Sequence, residues 1–219
     1  MINNLAVIIG VGPGLGLALA KKFHKEGFDI CMIARSLSKL ESYIDQMNEG
    51  EGRISCYSAD VGNRESLEST LKTILLEQGT PELLIYNVSL LRPAVPEQID
   101  YESFIEDFRI NVGGLLITHQ LMFPRMKMEG SGTIMITGGG LSLTPYYEMA
   151  SLGVGKAGLR NLAGSLAQEV KSSGVRLFTI TINGMIQSDT KFDPVLIADK
   201  FMEVFKNGLS AEEHEFILQ

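Results

Sequence analysis

The stretch MASLGVGKAGL, Met149 to Leu159, contains one charged side chain, Lys156, in a run that otherwise reads as the buried opening of a helix. Removing an ammonium from water is costly, so such a lysine either reaches the surface or has a partner that offsets the cost. At the other end of the chain, GVGPGLG sets glycines at Gly10, Gly14 and Gly16 directly after an apolar run. Glycines so placed allow a tight turn, close approach of backbone to a pyrophosphate, and an anion seated at the N-terminus of a following helix that opens at Leu15. The spacing is GxxxGxG and not GxGxxG, because Leu15 stands where the third glycine of the latter would fall. Taken alone, the turn fits a tight strand-to-helix connection as well as it fits a ligand site. Arg35, in ARS, ends a second apolar run, and its guanidinium fork suits a phosphate group. The bland alternative is a solvated arginine opening a helix.

These residues need elements to hold them, and short apolar runs alternate with helix-like segments throughout. LAVIIG, FDICMIA, RISCYSA, ELLIYN, GTIMITG and VRLFTITIN read as strands, with EHEFIL adding a last one. Between them, LGLALAKKFHKEG, SLSKLESYIDQMNEG with Ser36 as its cap, NRESLESTLKTILLEQG, a long stretch from Tyr101 to Met128, ASLGVGKAGLRNLAGSLAQEVKSSG and DPVLIADKFMEVFKNG read as helices. Leu152, Leu159, Leu162, Leu166 and Val170 share roughly one helical face. Strands that are apolar on both sides and separated by helices predict a doubly wound α/β fold, a parallel sheet of about seven strands with helices on both faces. In such a sheet, ligands bind beyond the carboxyl ends of the strands, where Gly10 and Arg35 lie.

The 219 residues suit one domain, expected over residues 1–219, and the formal charge of −7 disfavours nucleic acid or an anionic membrane as partner. A small molecule is the expected ligand. Cys31 and Cys56 lie in apolar segments without metal or CxxC spacing, so no metal site is expected, and reduced core thiols point to the cytoplasm. Met1 to Ala20 carries no charge, but it lacks the basic start of a signal peptide, and Pro13 among four glycines argues against a membrane span. His24, His119 and His214 show no metal spacing and are expected to be structural or exposed.

On these motifs the chain resembles the short-chain dehydrogenase/reductase family over nearly its whole length. Gly10, Gly14 and Gly16 match the family's TGxxxGxG; Asp60 and Val61 in SADVGN match its adenine contact; Asn87 in YNVS keeps one residue of its NNAG; Asn111 in INVGG matches its helix asparagine; and Lys156 matches the lysine of YxxxK. The resemblance implies a Rossmann fold and a nicotinamide cofactor. It implies cofactor contacts from Gly10, Gly14, Leu15, Gly16, Arg35, Asp60, Val61, Asn87 and Lys156, catalytic positions at Asn111 and Lys156, and a homodimer or homotetramer. Because the second strand ends in Ala34, Arg35 and Ser36 without the acid that would hold the ribose of NAD, NADP is the expected cofactor.

The match is broken where proton transfer belongs. The family's tyrosine, four residues before the lysine, is Leu152, and its serine, thirteen residues before that tyrosine, is Gly139. Ile9, Tyr86, Val88, Ser89 and Asn183 are further departures. Thr137 and Ser142 carry hydroxyls near the lost serine but out of register, and Tyr146, Tyr147 and Glu148 offer an alternative proton source or ordinary pocket lining. Little chain, Lys191 to Asp193, remains for a lid, and Ser188 and Thr190 are left to meet a cofactor. The expected activity is therefore hydride transfer to or from a carbonyl or alcohol by an atypical proton route. Its rivals are a non-catalytic NADP-binding sensor or partner protein, and a paralogue that binds no nucleotide and acts by oligomerisation.

Overall fold

The computed structural model describes residues 4–47, 49–210 and 213–219. The apolar runs form β1 (Leu5–Ile9), β2 (Asp29–Ala34), β3 (Ile54–Ser58), β4 (Leu83–Tyr86), β5 (Thr133–Gly139), β6 (Arg176–Ile182) and β7 (Glu215–Leu218). The helices are α1 (Leu15–Lys25), α2 (Leu37–Ile44), α3 (Arg64–Glu77), α4 (Tyr101–Phe108), α5 (Gly114–Glu129), α6 (Ala150–Val170) and α7 (Pro194–Asn207). The strands pair in the order β3-β2-β1-β4-β5-β6-β7, parallel at every step. The chain runs outward from β1 to β3 and then returns to β4, so the switch point lies between β1 and β4, flanked by Gly10 and Asn87.

Side-chain alternation divides the core in two. Val7 and Ile9 face α3, α5 and α6, packing with Leu71, Leu115, Met122 and Leu159, while Ala6 and Ile8 face α1 and α7, packing with Leu19, Phe23, Phe201 and Phe205. On the latter face Phe23, Phe28 and Phe205 meet edge to face, with ring centroids 5.4–5.8 Å apart. Ser36, Asn63, Asp100 and Asp193 cap α2, α3, α4 and α7 through their side chains. Among the described residues no helix is long and apolar enough to cross a membrane.

Three helices depart from the sequence pattern. The segment after Ser36 stays helical only to Ile44, where i→i+3 bonds from Gln46 to Tyr43 and from Met47 to Ile44 tighten the chain into a turn. The segment through Lys156 ends at Val170 and turns into Gly174 at φ +80°. The stretch from Tyr101 to Met128 is not one helix: Arg109–Gly113 forms a π turn between α4 and α5. Its cause is a side chain from the sheet. Tyr86, fully buried at the end of β4, donates its hydroxyl to the Ile110 carbonyl at 3.0 Å and accepts from the Leu115 amide. The phenol is thus inserted between backbone groups five residues apart, the pair that an unbroken π turn would join. A β-carbon at Gly114 would lie 2.5 Å from that hydroxyl oxygen, so only glycine admits it.

Candidate functional site

The glycine turn is held by contacts that only glycine allows. Gly10 sits at φ +89°, and a β-carbon there would be 2.7 Å from the Asn87 carbonyl oxygen; one at Gly16 would be 2.8 Å from the Gly10 carbonyl oxygen. Gly12 and Gly14 face open space, with nothing within 4 Å of where a β-carbon would stand. The turn opens on a cavity of about 560 Å³ lined by Arg35, Asp60, Val61, Asn87 and Ile110. Ser36, Lys39 and Tyr43 line it too, a role that no motif in the sequence assigns them. Their spacing of three and four residues on α2 is the signal that points to a shared face. Leu15 is buried at the start of α1, Val61 is buried with a methyl against Gly114 at the start of α5, and the Asp60 carboxylate accepts from the Gly62 amide at 2.9 Å. Ser188 lines a second cavity, of about 650 Å³, beside Pro13 and Gly14, whereas the Thr190 hydroxyl bonds within its own turn to the Gln187 carbonyl.

From β4 the chain of contacts runs inward. Asn87 donates to the Gly10 carbonyl at 3.0 Å and accepts from the Thr137 hydroxyl at 2.9 Å, joining the glycine turn to β5. Lys156 lies beyond it, buried, with its ammonium 3.4 Å from the Thr137 carbonyl and 3.5 Å from the Val88 carbonyl. Among the described residues no carboxylate pairs with it. Burial pushes its pKa from 10.5 down to about 8. The stem lies along β5, where a β-carbon at Gly139 would stand 3.3 Å from two of its methylenes. The lysine therefore holds a cation between the carboxyl ends of β4 and β5 on two long, neutral contacts.

Asn111 sits in the π turn, fully buried, and both ends of its amide are engaged by Leu90: it accepts from the Leu90 amide at 2.8 Å and donates to the Leu90 carbonyl at 3.4 Å. Its position depends on Tyr86, a link no local sequence signal indicates. A buried carboxylate fixes the same loop to α6, since Asp107 accepts from Ser151 at 2.6 Å and pairs with Arg92 at 3.0 Å. Asn111 is thus a clamp on the loop after β4.

At the proton-transfer position Leu152 is buried one turn before Lys156. Tyr146 and Tyr147 are exposed, and both donate to Glu148, at 2.5 and 2.8 Å. The carboxylate raises both phenol pKa values, making them weaker acids. Thr137 is engaged by Asn87, but the Ser142 hydroxyl is buried and without a partner among the described residues. His24 and His119 are buried, His24 beside the Phe28 carbonyl and His119 on Glu169 and stacked over Phe123.

Comparison with known proteins fits this geometry. An oxidoreductase of Sarocladium schorii is 27% identical over 177 residues, covering 81% of this chain and 70% of its own. An uncharacterized oxidoreductase of Staphylococcus epidermidis is 24% identical over 186 residues, covering 85% and 79%. Among solved structures, a metagenomic short-chain oxidoreductase in complex with NADP superposes with a TM-score of 0.88 at 19% identity, covering 97% of this chain and 95% of its own. L-sorbose reductase from Gluconobacter frateurii, complexed with NADPH and L-sorbose, gives 0.89 at 20% identity, covering 98% and 94%. The short chain dehydrogenase family model matches residues 4–193. The similarity runs from the first strand to the cap of α7, and the chain belongs to the short-chain dehydrogenase family.

Proposed function

We propose that the protein is an NADP-dependent oxidoreductase that moves a hydride to or from a carbonyl or alcohol, NAD being the less favoured cofactor. The observation that carries this reading is the convergence of the glycine turn, the Arg35–Ser36–Lys39 edge and the buried Lys156 on the carboxyl edge of the sheet around its switch point. The residues fit a dinucleotide. Gly12 and Gly14 leave open space at the start of α1 for a pyrophosphate. Arg35 and Lys39 bring two cations to the end of β2, where a 2′-phosphate would need them. Asp60 and Val61 line the adenine end, Asn87 steadies the turn, and Lys156 is placed to hold the hydroxyls of the nicotinamide ribose. The bound dinucleotide supplies the hydride chemistry, while the chain positions it and sets the field around it. The NADP and NADPH complexes of the structural neighbours support the same choice. Exposed Phe108, Leu116 and Val154, on α4, α5 and α6, support a homodimer or homotetramer built on those helices.

Leu152 and Gly139 favour a second reading, an NADP-binding sensor or partner protein without turnover. The first test is a titration with NADPH and NADH, read by nicotinamide fluorescence and calorimetry. NADPH should bind more tightly, and Arg35→Glu should weaken NADPH by at least about tenfold, one lost charge-assisted contact, while leaving NADH within a few-fold. Equal loss of both would remove the assignment of Arg35, and binding of neither would refute the whole reading. Turnover then separates enzyme from sensor.

A further inference from the structure

The loop that leaves β4 carries one of the two carbonyls that face the buried cation, Val88, 3.5 Å from the Lys156 ammonium. It is fixed on both sides of that carbonyl. Before it, Asn87 donates to the Gly10 carbonyl and accepts from Thr137; after it, Asn111 grips the Leu90 amide at 2.8 Å and the Leu90 carbonyl at 3.4 Å. A β-carbon at Gly155 would stand 2.9 Å from that of Asn111, so the asparagine is wedged between the loop and the residue next to Lys156 on α6. Letting go of Leu90 would free one side of the span that presents the Val88 carbonyl.

Asn111 reaches Leu90 because the helix is opened at that point. The Tyr86 hydroxyl donates to the Ile110 carbonyl at 3.0 Å and accepts from the Leu115 amide, so Arg109–Gly113 carries one residue more than a regular helical turn. Closing it to α geometry would rotate the residues on one side by about 100° relative to the other. The flanks are anchored, α4 by Asp107 to Ser151 on α6 and α5 by Leu115 and Met122 in the core, so the change would fall on the turn itself. Two neighbours in that turn serve opposite ends of the cleft: Ile110 lines the cavity beside Arg35 and Asp60, and Asn111 holds the loop that faces Lys156. Tyr86 is one of the residues by which the chain departs from the family motif, and this arrangement comes with it.

We propose that Tyr86 is a positioning residue for the nicotinamide half of the cofactor site, a proposal that rests on the dinucleotide reading above. Its hydroxyl holds the π turn, the turn holds Asn111, and Asn111 holds the loop whose carbonyl faces Lys156. The phenol is fully buried and does not line the cavity, so it acts through these groups and not by contact. Coupling of this kind is reciprocal: a cofactor that engages Lys156 must tighten the turn in return.

The test compares wild type with Tyr86→Phe, at a temperature where circular dichroism shows both folded, for affinity toward NADPH and toward adenosine 2′,5′-bisphosphate, which lacks the nicotinamide ribose. Tyr86→Phe should lower the ratio of NADPH to bisphosphate affinity by at least about fivefold, the effect of one lost hydrogen-bonded restraint. A shift of Ile110 at the adenine end, or a loss of folded fraction, changes both affinities and cancels in the ratio. Val170→Ala, a core truncation at the far end of α6, should destabilise the fold and leave the ratio within about twofold. In wild type, amide exchange at Leu90 and Leu115 should slow more with NADPH than with the bisphosphate at equal occupancy, a measurement that needs no variant and decides the matter if Tyr86→Phe does not fold. Failure of wild type to bind NADPH would refute the dinucleotide reading itself. With NADPH binding intact, a ratio that Tyr86→Phe leaves unchanged, or exchange that NADPH slows no more than the bisphosphate, would overturn this proposal alone.

Discussion

Lys156→Met should make the nucleotide-free protein more stable at neutral pH, with a gain that shrinks as pH rises. Burial lowers the lysine pKa from 10.5 to about 8. At about 1.4 kcal/mol per tenfold change in proton affinity, the folded state carries a penalty of about 3 kcal/mol at pH 7. Between the two pKa values the unfolded chain binds more proton than the folded one, so wild-type stability rises with pH across that window, and the penalty is full below pH 8. Methionine keeps an apolar stem and removes the charge. The variant loses two contacts to carbonyls, at 3.4 and 3.5 Å, long enough to be worth about 0.5 kcal/mol each. The net gain is about 2 kcal/mol at pH 7, falling close to zero near pH 9.5. Paired urea unfolding at pH 7, 8.5 and 9.5 measures it, since groups common to both proteins, including the buried Tyr86 phenol, cancel in the difference. A variant that is no more stable at pH 7, or a gap that does not change with pH, would refute the reasoning. NADPH should reverse the order, because about 100 times its Kd adds about 2.7 kcal/mol to wild type and less to a variant that binds more weakly.

Other perturbations address the neighbouring contacts. Tyr86→Phe leaves the Ile110 carbonyl and Leu115 amide without the phenol and should cost about 1–3 kcal/mol in thermal unfolding. Gly114→Ala, whose β-carbon would also stand 2.2 Å from a Val61 methyl, should destabilise as well, and the double variant should lose less than the sum because phenylalanine lacks the obstructing oxygen. Gly10→Ala combines φ +89° with a 2.7 Å backbone contact and should lose at least about 1 kcal/mol of stability together with NADPH affinity; an alanine variant that binds normally would show that the turn tolerates a side chain. NADPH binding at pH 8 should take up as much as half a proton, since Lys156 is about half neutral there and ribose oxygens favour its charged form. Calorimetry in phosphate and Tris should give different apparent enthalpies, and identical values would contradict the assignment.

Much of this was legible in the sequence because the relevant forces are local or periodic. Strands buried on both faces must be apolar throughout, which made the seven runs and their parallel pairing readable. Lys156 stood out because one charge in an apolar helical run requires an explanation, and it is indeed buried. The π turn was not legible. RINVG suits an α-helix as well, and the phenol that opens it comes from a strand 24 residues away in sequence from Ile110. The roles of Tyr146 and Tyr147 were hidden for a related reason: their shared bond to Glu148 depends on the path of the loop and not on residue type. Lys39 and Tyr43, by contrast, could have been found from their spacing behind the Ser36 cap.

Leu152 changes the meaning of Lys156 more than it changes the fold. A tyrosine hydroxyl one turn away would give the ammonium a polar neighbour and an acid to tune; leucine gives it neither, and burial already lowers its pKa. Among the described residues the charge is then supported by two carbonyls at 3.4 and 3.5 Å, an arrangement that a hydrophobic replacement would improve. A group that destabilises the free fold is offset only by what binds to it. On the proposed reading, the hydroxyls of the nicotinamide ribose would meet that need. Leucine where the resemblance expects a tyrosine therefore makes the electrostatic role of Lys156 depend on what binds beside it.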